Sequence, residues 1–208
     1  MKALLIVDMQ NDFVPGGSLP VVEGDRILPL IDEMVHYPFD LILATKDWHP
    51  SDHVSFASNH SGKKPGDEIA IGGLNQTLWP VHCEQGSWGA EFVSGWDTTC
   101  VDKVFYKGTN PFIDSYSAFF DNGHYQATGL EFYLRDKGVN TLFFAGLATD
   151  YCVKFSVLDA LQLGFQSYVI VDACKGVNLQ PNDSEQALEY MQKGGAILLS
   201  IKDLKEII

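Results

Sequence analysis

Short apolar-rich runs alternate along this chain with longer segments in which apolar residues recur every three or four positions. Residues 3–7, 41–44, 101–106, 141–145, 168–171 and 196–199 form the first class, the pattern of strands buried on both faces. The second class reads as helix. Residues 25–36 put Ile27, Leu30, Ile31 and Met34 on one face, and residues 125–137 and 184–193 stop at Gly138 and Gly194, where glycine favours a helix end. Beyond Cys152, Val153, Val157, Leu158, Leu161 and Leu163 follow helical spacing. Strand alternating with helix predicts a doubly wound, three-layer α/β/α domain with a mainly parallel sheet of about six strands. Residues 50–99 break the pattern. They are polar, rich in Gly, Pro, His and Trp, and predict a long functional loop inside a single domain spanning residues 1–208.

Polar residues stand where the predicted strands end. Asp8 closes the first, Asp47 follows the second, Lys107 the third and Cys152 the fourth, so all four fall on the carboxyl edge of the sheet, where open parallel sheets bind ligands. Taken singly, each has an ordinary reading as a turn carboxylate, a solvated lysine or a core cysteine. Together they supply a nucleophile, a base and a cation. A thiol in the first turn of a helix lies near unpaired N–H groups and the positive end of the macrodipole, which predicts a depressed thiol pKa and amides able to hold an oxyanion.

Charge narrows the partners. The net charge of −13 argues against nucleic acid and anionic membranes, which need clustered Lys and Arg, and favours a small-molecule substrate. The four cysteines show no paired framework, and no apolar run is long enough for a signal peptide or a membrane span, so a cytoplasmic protein is expected. Whether the chain forms a homo-oligomer is left open.

Asp47-Trp48-His49 places a carboxylate and an imidazole two residues apart, on one side of an extended segment. With His82 as a third ligand, the set suits a divalent zinc, iron or manganese ion with open positions. His53 is a fourth candidate. Cys83 reads as structural, Cys100 and Cys174 as core, and His36, His60 and His124 as surface or internally satisfied histidines.

Five motifs in order resemble the cysteine hydrolases of the isochorismatase-like superfamily, and within it the nicotinamidase/pyrazinamidase branch. They are Asp8-Met9-Gln10-Asn11-Asp12-Phe13; Asp47-Trp48-His49-Pro50; Trp79-Pro80-Val81-His82-Cys83; Lys107-Gly108 with Tyr116-Ser117-Ala118-Phe119; and Gly146-Leu147-Ala148-Thr149-Asp150-Tyr151-Cys152-Val153. The resemblance covers nearly the whole chain. It implies a triad of Asp8, Lys107 and Cys152, with Lys107 preferred to Lys103 because it precedes Gly and the Tyr-Ser-Ala-Phe run. It also implies a cis peptide before Ala148, an oxyanion hole at the Ala148 and Cys152 amides, and one divalent ion, zinc foremost, on Asp47, His49 and His82. Pocket walls at Phe13, Trp79, Tyr116 and Leu19 follow from the same likeness. The implied activity is hydrolysis of nicotinamide, and of pyrazinamide, to the acid and ammonia through a thioester, within NAD salvage. Two other readings compete: a metal-free relative acting on other amides or ureido compounds, and a non-catalytic module whose ion only pins the long loop. Tyr151 departs from relatives with His before the nucleophile.

Overall fold

The computed structural model describes all 208 residues. Its main sheet contains β1 (Lys2–Val7), β2 (Leu41–Asp47), β5 (Lys103–Lys107), β6 (Thr141–Leu147), β7 (Gln166–Lys175) and β8 (Ile197–Leu199), and all neighbours run parallel. The order β5-β2-β1-β6-β7-β8 reverses direction between β1 and β6. That reversal opens a crevice at the carboxyl ends of the two central strands.

Alternation along β1 sorts the core into two layers. Ala3, Leu5 and Val7 pack with Leu130 and Leu134 of α2 (Leu130–Asp136), Val157 and Ala160 of α3 (Lys154–Gln162) and Met191 of α4 (Asp183–Lys193). Leu4 and Ile6 face the other way, with Ile31 and Met34 of α1 (Leu28–Met34) and Leu204 of α5 (Ile201–Ile207). The doubly wound α/β/α expectation is met. No helix is long and apolar enough to cross a membrane.

Local differences have local causes. The helix expected over 125–137 begins only at Leu130, because the Asp121 carboxylate draws in the N–H groups of Gly123, Tyr125 and Gln126 as a turn and Gly129 is left-handed at φ 89°. The helix expected over 25–36 starts as a short 3₁₀ turn, Gly24–Ile27, and becomes α-helical at Leu28, with Pro29 in the first turn where its missing N–H costs nothing. The stretch 50–99 is not wholly irregular: β3 (Glu68–Ile71) and β4 (Leu74–Thr77) form an antiparallel hairpin across Gly72 and Gly73. Cys100 is half-buried in a turn rather than in the core, whereas Cys174 is buried.

Candidate active site and metal centre

The carboxyl ends of β1, β2, β5 and β6 bring the four predicted groups together. β2 and β5 pair in register at Asp47 and Lys107, so these side chains leave the sheet side by side. The Lys107 ammonium, 1% exposed, lies 2.8 Å from Asp8 Oδ2 and 2.5 Å from Asp47 Oδ1. It also reaches the Ser115 carbonyl at 3.1 Å and Cys152 Sγ at 3.3 Å. Lys103, at the opposite end of β5, is exposed. A buried cation among two carboxylates and a thiol repays its lost hydration only because each contact is charged or hydrogen-bonded.

Asp8 is fully buried and left-handed at φ 46°. Thr45, one strand away, grips it twice: its hydroxyl donates to Asp8 Oδ1 at 2.6 Å and accepts the Asp8 N–H at 3.1 Å. Burial pushes the Asp8 carboxyl above its ordinary 3.8, against the pull of Lys107. Oδ2 meets Lys107 off the angle of a hydrogen bond and has no other partner, which leaves it open to a proton. Asp47 goes the other way: burial would raise it, but Lys107 and then His49 hold it well below the carboxylate range.

Cys152 lies in a one-turn π segment, Thr149–Val153, that leads into α3. The depressed thiol expected from a helix N-terminus is overturned. Burial pushes the thiol well above its ordinary 9.0, Lys107 pulls it back, and Asp8 and Asp47 push it up again. Desolvation by burial is the largest influence on this thiol, and it acts in the direction opposite to a helix N-terminus. The Leu147–Ala148 peptide is cis, and the Ala148 N–H has no acceptor within the chain.

Beside this cluster, one ligand atom each from Asp47, His49 and His82 lie within 4.8 Å of one another, all buried. Nδ1 of His49 meets the Gly108 carbonyl at 2.9 Å and Nδ1 of His82 meets the Pro80 carbonyl at 2.8 Å. Both rings therefore turn Nε2 toward Asp47 Oδ2, at 3.5 and 3.9 Å. Carbonyls that fix the outer nitrogen and leave the inner lone pair free are the support a metal-bound histidine needs. Burial, with His49 next, brings His82 down to about 4, so its nitrogen is unprotonated near neutrality. Gly108, at φ 63°, is required: a Cβ there would lie 2.3 Å from the His49 ring. A second carboxylate and thiol grouping, Asp8 with Asp47 and Cys152, cannot hold a cation because Lys107 already contacts all three.

His53 is outside the Asp47 set. Its Nδ1 meets Ser55 Oγ at 2.7 Å, its Nε2 is buried without a partner, and it groups with His49 and Asp114. Cys83 is in none of the candidate ligand groups, and its thiol lies 3.9 Å from the Gly89 carbonyl.

Phe13, Leu19, Trp79 and Tyr116 all line the cavity above Cys152, joined by Asp114, Tyr151 and Val177. Trp79, Tyr116 and Tyr151 form an aromatic wall, with the Tyr151 ring edge-on to the other two at centroid distances of 4.9 and 5.3 Å.

A profile of the isochorismatase domain matches residues 2–203. The chain belongs to the isochorismatase family. Among relatives, the nicotinamidase of Escherichia coli K12 is 48% identical over 208 residues, 99% of this chain and 97% of that one. The yeast nicotinamidase bound to the inhibitor nicotinaldehyde superposes with a TM-score of 0.91 at 30% identity, over 96% of this chain and 100% of the other. The pyrazinamidase of Pyrococcus horikoshii in complex with zinc gives 0.77 at 39% identity, over 96% and 98%.

Several residues of this isochorismatase-family site carry no clear sequence signal. Thr45 sits inside an apolar strand, and Asp114 in a loop accepts Gln76 Nε2 at 2.9 Å. Gln10 is within a motif, but its task shows only in three dimensions: its amide donates to the Asp47 carbonyl and accepts the Asp47 N–H, both at 2.8 Å, fixing the end of β2.

Proposed function

We propose that the chain is a nicotinamidase that hydrolyses the carboxamide of nicotinamide, and of pyrazinamide, to the acid and ammonia, as a cytoplasmic step of pyridine nucleotide salvage. The observation that carries this reading is the buried Asp8, Lys107 and Cys152 cluster beside three converging metal-ligand atoms. A metal-free relative would have no use for two carbonyl-oriented histidines facing one carboxylate. A non-catalytic module would have none for a buried thiol, base and ammonium in contact.

Asp47, His49 and His82 would hold one divalent ion, zinc by the donor set and by likeness to the zinc-bound pyrazinamidase. Such an ion supplies a Lewis-acid contact for the ring nitrogen of the substrate. The ring packs among Phe13, Leu19, Trp79 and Tyr116 with its amide over Cys152. Asp8 Oδ2 takes the thiol proton as Sγ bonds to the amide carbon. The Ala148 N–H, with that of Cys152, receives the oxyanion, at about 3 kcal/mol per donor in comparable sites. The C–N bond breaks as Asp8 returns the proton to nitrogen, releasing ammonia. Asp8 then takes a proton from water as it attacks the thioester, and returns it to sulfur as the carboxylic acid leaves. Lys107 balances the successive negative charges on Asp8, Asp47 and sulfur.

The test is ammonia release from nicotinamide by the purified, metal-loaded protein; no release overturns the substrate reading.

Asp8 must be ionised to accept the thiol proton, so kcat/KM rises with pH through its folded pKa, above the ordinary 3.8. Thr45→Val removes a hydrogen bond that favours the ionised form. The acid limb of kcat/KM then moves to higher pH, and a pH profile with an unmoved limb contradicts the assignment.

His49→Ala removes a ligand. Metal affinity, measured by chelator competition, falls by more than about 100-fold, since changes one shell further out already cost 10–100-fold. Unchanged affinity would remove His49 from the set.

A further inference from the structure

Ser156 lies on α3 one turn beyond Cys152 and is fully buried. Its hydroxyl is used twice: it donates to the Cys152 carbonyl at 2.6 Å and accepts the Ala118 N–H at 2.8 Å. A bond from serine to the carbonyl four residues back is common on helices and says little. The second bond, from a segment far along the chain, is what a merely back-bonded serine lacks.

That segment carries the other half of the site. The Ser115 carbonyl, three residues before Ala118, accepts the Lys107 ammonium at 3.1 Å. The segment is braced around Ala118: Ser115 Oγ lies 2.9 Å from the Phe120 carbonyl and 3.2 Å from the Ser117 carbonyl, Ser117 Oγ accepts the Phe119 N–H at 3.0 Å, and Thr128 Oγ1 donates to the Ala118 carbonyl at 2.7 Å. Only this short braced stretch of backbone separates the Ala118 N–H from the Ser115 carbonyl. One hydroxyl links the backbone that carries the thiol to the segment that holds the ammonium.

We infer that Ser156 is a positioning residue for the hydrolysis, one that sets the 3.3 Å approach of the Lys107 ammonium to the Cys152 thiol through its bonds to the Cys152 carbonyl and the Ala118 N–H. It touches no substrate. The inference rests on the reading of Cys152 as nucleophile.

Three variants test it. Ser156→Ala removes the hydroxyl, Ser156→Thr keeps it, and Ser156→Val has the shape of threonine without it, so the Thr and Val pair separates bonding from bulk. The measurements are kcat and KM on nicotinamide, metal content, and the rate of Cys152 alkylation by iodoacetamide, read on the Cys152 peptide by mass spectrometry. In the Ala and Val variants kcat falls roughly 10- to 100-fold, the scale of a misplaced reacting group. Alkylation slows with it, while KM and metal content stay near wild type. Thr restores most of both rates. Wild-type kcat and alkylation in folded Ala and Val variants would overturn the inference. So would failure of both to fold where Thr folds, since the hydroxyl would then serve the fold alone. In the wild type, alkylation of Cys152 must abolish turnover; turnover by fully labelled protein would instead overturn the nucleophile reading, whatever the Ser156 variants do.

Discussion

Cys152→Ala loses ammonia release from nicotinamide by roughly 10⁴-fold or more, the scale on which removing a nucleophile acts in a triad enzyme. Two features make this a clean experiment. Cys152 is not among the three residues that converge on the metal position, so metal content stays at the wild-type level. The side chain is small and its backbone is held independently, by the Ser156 hydroxyl on the Cys152 carbonyl and by the Tyr151 and Val153 N–H groups on the Ala148 carbonyl. Loss of one buried sulfur costs on the order of 1 kcal/mol. The variant therefore folds, binds metal and does not turn over. Ammonia release within tenfold of wild type would exclude a covalent route through this residue.

Lys107→Met has the largest expected effect on stability. It leaves Asp8 and Asp47 buried with no cation between them, and breaking a buried pair in this way costs about 3–5 kcal/mol. In a chain of this length that is a drop in Tm on the order of 10 °C in the metal-free protein. The deficit has a definite pH dependence. In the wild type, Asp47 is held below its unfolded value, so its contribution is present above the ordinary 3.8 and fades as pH falls through the lower folded pKa. Without Lys107, burial raises both carboxyls, and a raised carboxyl favours the folded state at low pH and loses that advantage as pH rises through its folded pKa. The gap between variant and wild type is widest near neutrality and narrows toward pH 4. Thermal unfolding from pH 4 to 8 checks this; a gap that widens on acidification would mean that Lys107 does not neutralise these carboxylates.

How much of this could be read from the chain depends on where each signal lies. Asp8 and Lys107 announce themselves because each ends an apolar run, and strand ends share one edge of a parallel sheet. Choosing Lys107 over Lys103 took the resemblance, through Gly108 and the Tyr-Ser-Ala-Phe run, and the structure puts Lys103 at the opposite end of the same strand. The hairpin of β3 and β4 hides in a polar stretch, yet Gly72-Gly73 between two short runs is a turn signal, and both glycines take positive φ. Hydrophobic spacing is too brief to mark α5, whereas its capping box, Ser200 with Asp203, is readable.

Other features had no local signature. Thr45 and Ser156 matter through hydroxyls that meet partners 37 and 38 residues away, and nothing nearby distinguishes them from any strand threonine or helix serine. For the thiol, the sequence reveals a helix start but not depth. At 7% exposure and beside two carboxylates, burial pushes Cys152 up, where a helix N-terminus alone predicts a lowered thiol.

The most direct test of the covalent route is to quench the metal-loaded wild-type protein in acid during steady-state turnover of nicotinamide and weigh the Cys152 peptide. The account predicts a nicotinoyl adduct on Cys152 that disappears as substrate is exhausted and never forms on Cys152→Ala. Rapid turnover with no adduct on Cys152 at any quench time, and a Cys152→Ala variant that still releases ammonia, would contradict it.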